Sequence, residues 1–102
     1  VTLASIEGDE PDAEVPLMRT ARFASGDRVK EFAAFERQIW RRLAWLEAAE
    51  SLSSLEYVPG NRFEALRGNR SGQFSVRVND QWRICFAWQD NDAYAVEIVD
   101  YH

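Results

Sequence analysis

The sequence predicts an α+β domain: a small antiparallel sheet with helices on one face and a polar, arginine-bearing face on the other. Three observations carry this. Phe32, Phe35, Ile39, Leu43 and Leu46 recur every three or four residues, the stripe of an amphipathic helix. Phe74, Val76 and Val78 alternate with Ser75 and Arg77, and Trp82, Ile84, Phe86 and Trp88 alternate with Arg83, Cys85 and Ala87. That is the period of a strand with one buried face. A third run, 93–99, follows just before the chain ends.

The elements follow in order. Val1–Ile6 is a candidate short strand. Glu7 to Pro16 is acidic, contains Gly8, Pro11 and Pro16, and reads as a mobile loop. Leu17–Ala24 is a candidate short helix, and Met18 a candidate start in a chain that opens on Val1. Helical spacing runs from Asp27, a plausible N-cap, to Ala49. Trp40 falls at the edge of its apolar stripe. Lys30, Arg37 and Arg41 make a basic ridge elsewhere on that helix, either a solvated face or a partner or RNA contact. Pro59-Gly60-Asn61 breaks the chain, and short strands follow. For 74–78 and 82–88 to share an apolar face, Val78 must pair with Trp82 across Asn79-Asp80-Gln81. Arg77 then lies opposite Arg83 on the polar face, a repulsive pair unless an anion or an acid such as Glu64 sits between them. In 93–99, Tyr94, Val96 and Ile98 are expected on the core side. Glu97, Val99 and, by parity, Tyr101 are expected beside the arginines.

Size and composition bound the answer. At 102 residues the chain is expected to form one domain, 1–102, with one modest core; 46% apolar content fits a folded globule rather than a disordered tail. No segment approaches the roughly 18 apolar residues of a membrane span, and no signal-peptide pattern opens the chain. Cys85 is the single cysteine and His102 the single histidine, so no disulfide framework, metal site or other cofactor is expected. The expected compartment is the cytoplasm.

Net charge is −5, which by itself disfavours a polyanionic partner. The five acids of residues 1–18 account for all of it, while between Tyr57 and Ile84 five arginines face only Glu64 and Asp80. Arginine matches phosphate bidentately, so this strand region is compatible with RNA binding.

The stretches FASGDRVKEFAAFE, LEAAESL, PGNRFEALRGNRSGQFSVRVNDQWRICFAW and the terminal VEIVDYH resemble the HigB family of toxins, within the RelE/ParE superfamily of type II toxin–antitoxin systems. The resemblance spans about Phe23 to His102. It implies a small antiparallel sheet on two helices and ribosome-dependent mRNA cleavage in the A site, beside ribosomal RNA. It also implies neutralisation by a HigA-like helix-turn-helix antitoxin, through which alone operator DNA would be bound. Asp100, Tyr101 and His102 match the family's terminal residues, and Arg83 its sheet arginine for the scissile phosphate. Some members carry a pattern like HPLKGD where this chain has Glu64-Ala65-Leu66-Arg67-Gly68-Asn69. Glu64 thus replaces a histidine and Arg67 a lysine. The acidic segment at about 7–16 is divergent.

Cleavage of that kind would need no metal. A ribose 2′-OH attacks the adjacent phosphate, so the protein must supply positive charge, a base, an acid and a stacking surface. Arg83, with Arg67, Arg70 and Arg77 binding phosphate, would supply the charge. Glu64 is the candidate base, or else a salt-bridge partner for Arg77 or Arg83. His102, with an ordinary pKa of about 6.5, is the candidate acid. Tyr101 is either a base-stacking platform or sheet packing, and Asp100 would orient the terminus. Two rival readings remain: a ParE-like gyrase poison, and a degenerate member that binds antitoxin only.

Overall fold

A computed structural model describes residues 15–101. The proposed first strand, nearly all of the acidic segment and His102 lie outside the described residues. Helix α1 spans Pro16–Ala24, a 3₁₀ segment Lys30–Phe35, α2 Glu36–Ala48 and α3 Leu52–Glu56. Strands β1 (Glu64–Ala65), β2 (Gln73–Arg77), β3 (Trp82–Gln89) and β4 (Asp92–Asp100) form an antiparallel sheet in sequential order.

Pro16 is the first residue of α1, where its missing N–H costs nothing, and not the last of a loop. The helix closes with Gly26 at φ +105°, its N–H bonded to the Phe23 carbonyl and the Asp27 N–H to that of Arg22. This is a Schellman closure. Asp27 is therefore the third residue past α1 and not the N-cap of the next helix, a correction with a plain cause: the next helical segment begins only at Lys30, so Val29 holds the cap position. The expected helix 27–49 begins later, and its first part is 3₁₀. Three residues per turn put Phe32 and Phe35 on one side, and both rings meet Trp82, at 5.4 and 5.7 Å between centroids. In α2, Ile39, Leu43 and Leu46 are buried as the spacing predicts.

The predicted hairpin forms. Arg77 pairs with Arg83, and the Val78 N–H donates to the Trp82 carbonyl at 2.9 Å. Asn79 Oδ1 accepts from the N–H groups of Gln81 and Trp82, closing the loop. The next turn, Asp90-Asn91, takes positive φ at both residues, the two-residue geometry that matches strand twist.

One expectation fails in β4. Trp88 pairs with Ala93 and Ala87 with Tyr94, but Cys85 pairs with Glu97: the register shifts by one residue at a bulge. Ala95, at φ +52°, is the inserted residue. Ala93 is consequently fully buried with Val96 and Ile98, and Tyr94, expected in the core, lies 36% exposed on the arginine side.

The core joins Phe23, Phe32, Ile39, Leu43, Leu46 and Leu55 to Val76, Val78, Trp82, Ile84, Phe86, Ala93, Val96 and Ile98. Helix α1 also covers the open edge of β4. Thr20 Oγ1 accepts from the Ile98 N–H at 2.8 Å, and Arg19 donates to the Ile98 carbonyl at 3.1 Å. Both exposed ladder groups of that edge residue are thereby satisfied. No helix among the described residues is long and apolar enough to cross a membrane.

Candidate RNA-cleavage site

The face of the sheet away from the helices is built in rows. Arg77, Arg83 and Val99 form one; Glu64, Ser75, Cys85 and Glu97 form the next. Leu66, Cys85 and Val99 pack into a small apolar cluster of their own, so the polar face has an apolar floor. Burial on that floor pushes the Cys85 thiol pKa up.

Arg83 is held at the centre. Its Nε donates to Ser75 Oγ at 2.9 Å, a terminal nitrogen donates to the Arg62 carbonyl, and the guanidinium lies 5.6 Å from the centroid of the Tyr101 ring. Tyr101 thus reaches the face that strand parity predicts, and the residue is 44% exposed. These partners are neutral; among the described residues no carboxylate is paired with Arg83. Its cross-strand neighbour Arg77 is different, because Asp80 in the hairpin loop binds its guanidinium.

The other predicted residues divide. Glu64 is exposed beside Ser75, its cross-strand partner, and so adjoins the hydroxyl that holds Arg83. Arg70 is engaged by Glu97 and by Gln73 Oε1, each at 2.9 Å, and the bond to Glu97 raises its pKa. Arg67 is exposed after β1. Asp100 accepts from Gln81 Nε2 at 2.9 Å and pairs with Trp82, which puts it on the opposite side of the strand from Tyr101. His102 lies outside the described residues. Among the described residues, no group of three or more His, Cys, Asp or Glu could hold a metal ion.

Two supports of Arg83 carry no signal in the sequence. Ser75 is one, a hydroxyl at an otherwise unremarked polar position of β2. The other is the Arg62 carbonyl, aimed by a left-handed backbone at φ +44°. Asn61 anchors that turn, with its side chain bonded to the Leu55 carbonyl and its own carbonyl accepting from the Arg77 N–H.

The family model for HigB-like toxins, described as the RelE-like toxin of the type II toxin–antitoxin system HigB, matches residues 20–102. The chain belongs to this family. Toxin HigB-1 of Vibrio cholerae serotype O1 is 46% identical to this HigB-like chain over 61 residues, 60% of this chain and 64% of that one. Endoribonuclease HigB of Proteus vulgaris is 39% identical over 41 residues, 40% of this chain and 45% of that one. These matches therefore span less than two thirds of either relative. A solved structure of the YoeB-YefM complex from Staphylococcus aureus is similar with a TM-score of 0.45 at 22% identity, over 72% of this chain and 82% of that one.

Proposed function

We propose that this HigB-like toxin is a ribosome-dependent endoribonuclease that cuts mRNA in the A site, contacts ribosomal RNA there, and so stops translation in the cytoplasm. The observation that carries this reading is Arg83: a guanidinium positioned by Ser75, the Arg62 carbonyl and the Tyr101 ring, with no carboxylate of the described residues to neutralise it. Such a group is preorganised for an anion and stabilises charge where it develops in the transition state. The Proteus vulgaris relative, named as an endoribonuclease, supports the same activity.

In the proposed reaction the 2′-oxygen attacks the adjacent phosphorus and the bond to the 5′-oxygen breaks, leaving a 2′,3′-cyclic phosphate and a 5′-hydroxyl. Glu64 takes the 2′-OH proton, His102 protonates the departing 5′-oxygen, and Arg83 bears the phosphorane charge with help from Arg77 and Arg67. Arg70 reaches phosphate only by exchanging Glu97 for it. Tyr101 offers its exposed ring to a base, and Asp100 orients the terminus. Neutralisation falls to a HigA-like helix-turn-helix antitoxin, which alone contacts operator DNA.

The test is expression without antitoxin, with mRNA ends mapped on translating ribosomes. A-site cuts are expected from the wild type and strongly reduced cutting from Arg83→Gln or from a chain lacking His102. Intact mRNA with inhibited DNA supercoiling would transfer the chain to the gyrase reading, and full toxicity in both variants would refute the site.

A further inference from the structure

Arg42, on α2, lies where the sheet opens. β1 is short, so beyond Ser75 the outer side of β2 has no strand partner. There the Arg77 N–H donates to the Asn61 carbonyl at 2.6 Å, and Arg42 Nε donates to the Arg77 carbonyl at 3.0 Å. The Arg42 guanidinium is stacked on Trp45, 4.7 Å from the ring centroid. Stacking and the Nε bond fix the head of a half-buried side chain, and its terminal nitrogens have no hydrogen-bond partner among the described residues. Its charged neighbours are Arg41 and Arg77; burial, then the repulsion of these two, lowers its pKa. Three like charges are thus gathered at one corner, where Asp80, on Arg77, is the one paired carboxylate among the described residues. Trp45 and the Arg77 carbonyl hold Arg42 there without neutralising it. An anion would relieve the repulsion at little entropic cost, because the guanidinium is already fixed.

We propose that Arg42, with Arg41 and Arg77, forms a second anion site that takes an RNA phosphate next to the one held by Arg83. The inference rests on the RNA-cleavage reading of Arg83 and extends it. RNA is favoured over an acidic protein segment because the two sites are continuous. Arg77 is the cross-strand partner of Arg83, and Arg42 is bonded to the backbone of Arg77. Arg77 and Arg83 are one strand spacing apart, about 5 Å, and Arg42 bonds the Arg77 backbone, so a nucleotide backbone would pass from one site to the other in few steps. The site would lead the RNA off the sheet around its β1 side toward the basic ridge of α2.

The experiment measures binding of a short single-stranded RNA, 2′-O-methylated so that it cannot be cut, across a potassium chloride series. Removing one phosphate-binding cation lowers the slope of log affinity against log salt by about 0.7. Arg42→Gln, whose amide still donates to the Arg77 carbonyl, is expected to lose one such unit, Arg42→Lys to keep most of it, and Arg83→Gln to lose its own unit independently. If Arg42→Gln keeps the full slope while Arg83→Gln loses its unit, the second site is refuted and the phosphate role of Arg83 stands. If the reverse holds, the second site stands and that role falls. Absence of salt-dependent binding by the wild type overturns both. Binding of a polyglutamate peptide that Arg42→Gln abolishes, with RNA binding untouched, would assign the corner to an acidic protein partner and overturn the proposal.

Discussion

Arg19 and Arg83 use the same kinds of partner to opposite ends. Arg19, on the helix covering the β4 edge, donates to the Ile98 carbonyl and lies 5.2 Å from the centroids of both the Phe32 and Trp82 rings. Arg83, on the other face, donates to the Arg62 carbonyl and lies over Tyr101. Each guanidinium thus has a backbone acceptor and an aromatic partner. What differs is the surroundings. The rings under Arg19 are core residues, and its charge meets Glu31 at 3.5 Å. The ring beside Arg83 is open to solvent, and its charge meets neutral acceptors. Bonding partners alone do not separate Arg19, held within the structure, from Arg83, the proposed phosphate-binding residue; counter-charge and the exposure of the stacked ring do.

The comparison breaks most directly by substituting each arginine in turn. Arg83→Gln is expected to lower mRNA cleavage on ribosomes about 10²–10³-fold, while urea unfolding shifts by about 1 kcal/mol or less. Arg19→Ala is expected to do the reverse, costing about 2–3 kcal/mol of stability through weakened packing and an orphaned Ile98 carbonyl, with cleavage per folded molecule unchanged. An Arg19 variant that unfolds normally but does not cleave would invert the assignment.

Tyr101 sharpens the contrast at a smaller scale. An exposed cation–π pair is worth about 0.5–1 kcal/mol, so Tyr101→Leu is expected to weaken RNA binding about two- to fivefold and Tyr101→Phe to restore it. Equal weakening in both variants would point to the hydroxyl and not to the ring. Smallest is the alkaline response of the apolar floor. Burial raises the Cys85 pKa, so above the ordinary thiol value of about 8.5 the unfolded chain releases a proton that the folded chain keeps. Stability from this group is complete below that pH and falls as pH rises past it. Cys85→Ala is expected to flatten that fall in unfolding curves from neutral to alkaline pH; parallel curves would show that the thiol does not contribute.

Strand register was legible in the sequence because apolar alternation in β2 and β3 is strict, and it led directly to the Arg77–Arg83 pair. The support of Arg83 was not, since a backbone carbonyl such as that of Arg62 leaves no side-chain signature. Asp27 misled because an aspartate before a helical stripe looks like an N-cap, whereas it closes the turn after α1 and the next helical segment starts only at Lys30, capped by Val29. Tyr94 misled for a related reason: Tyr94, Val96 and Ile98 alternate without interruption, and only the three-dimensional pairing reveals that Ala95 is surplus.

That surplus residue decides what the chain's end can do. The two-residue turn at Asp90-Asn91 sets the parity with which β4 leaves the hairpin, and a regular strand would carry it unchanged to the terminus. Val96 and Ile98 would then face solvent, while Glu97 and Tyr101 would point into the helices. Ala95 reverses the alternation halfway along β4. Everything after it is read half a period later, so the phenol arrives beside Arg83 instead of beneath it. One residue in the middle of a strand works as a phase shifter, coupling a turn that matches strand twist to the placement of Tyr101 beside Arg83.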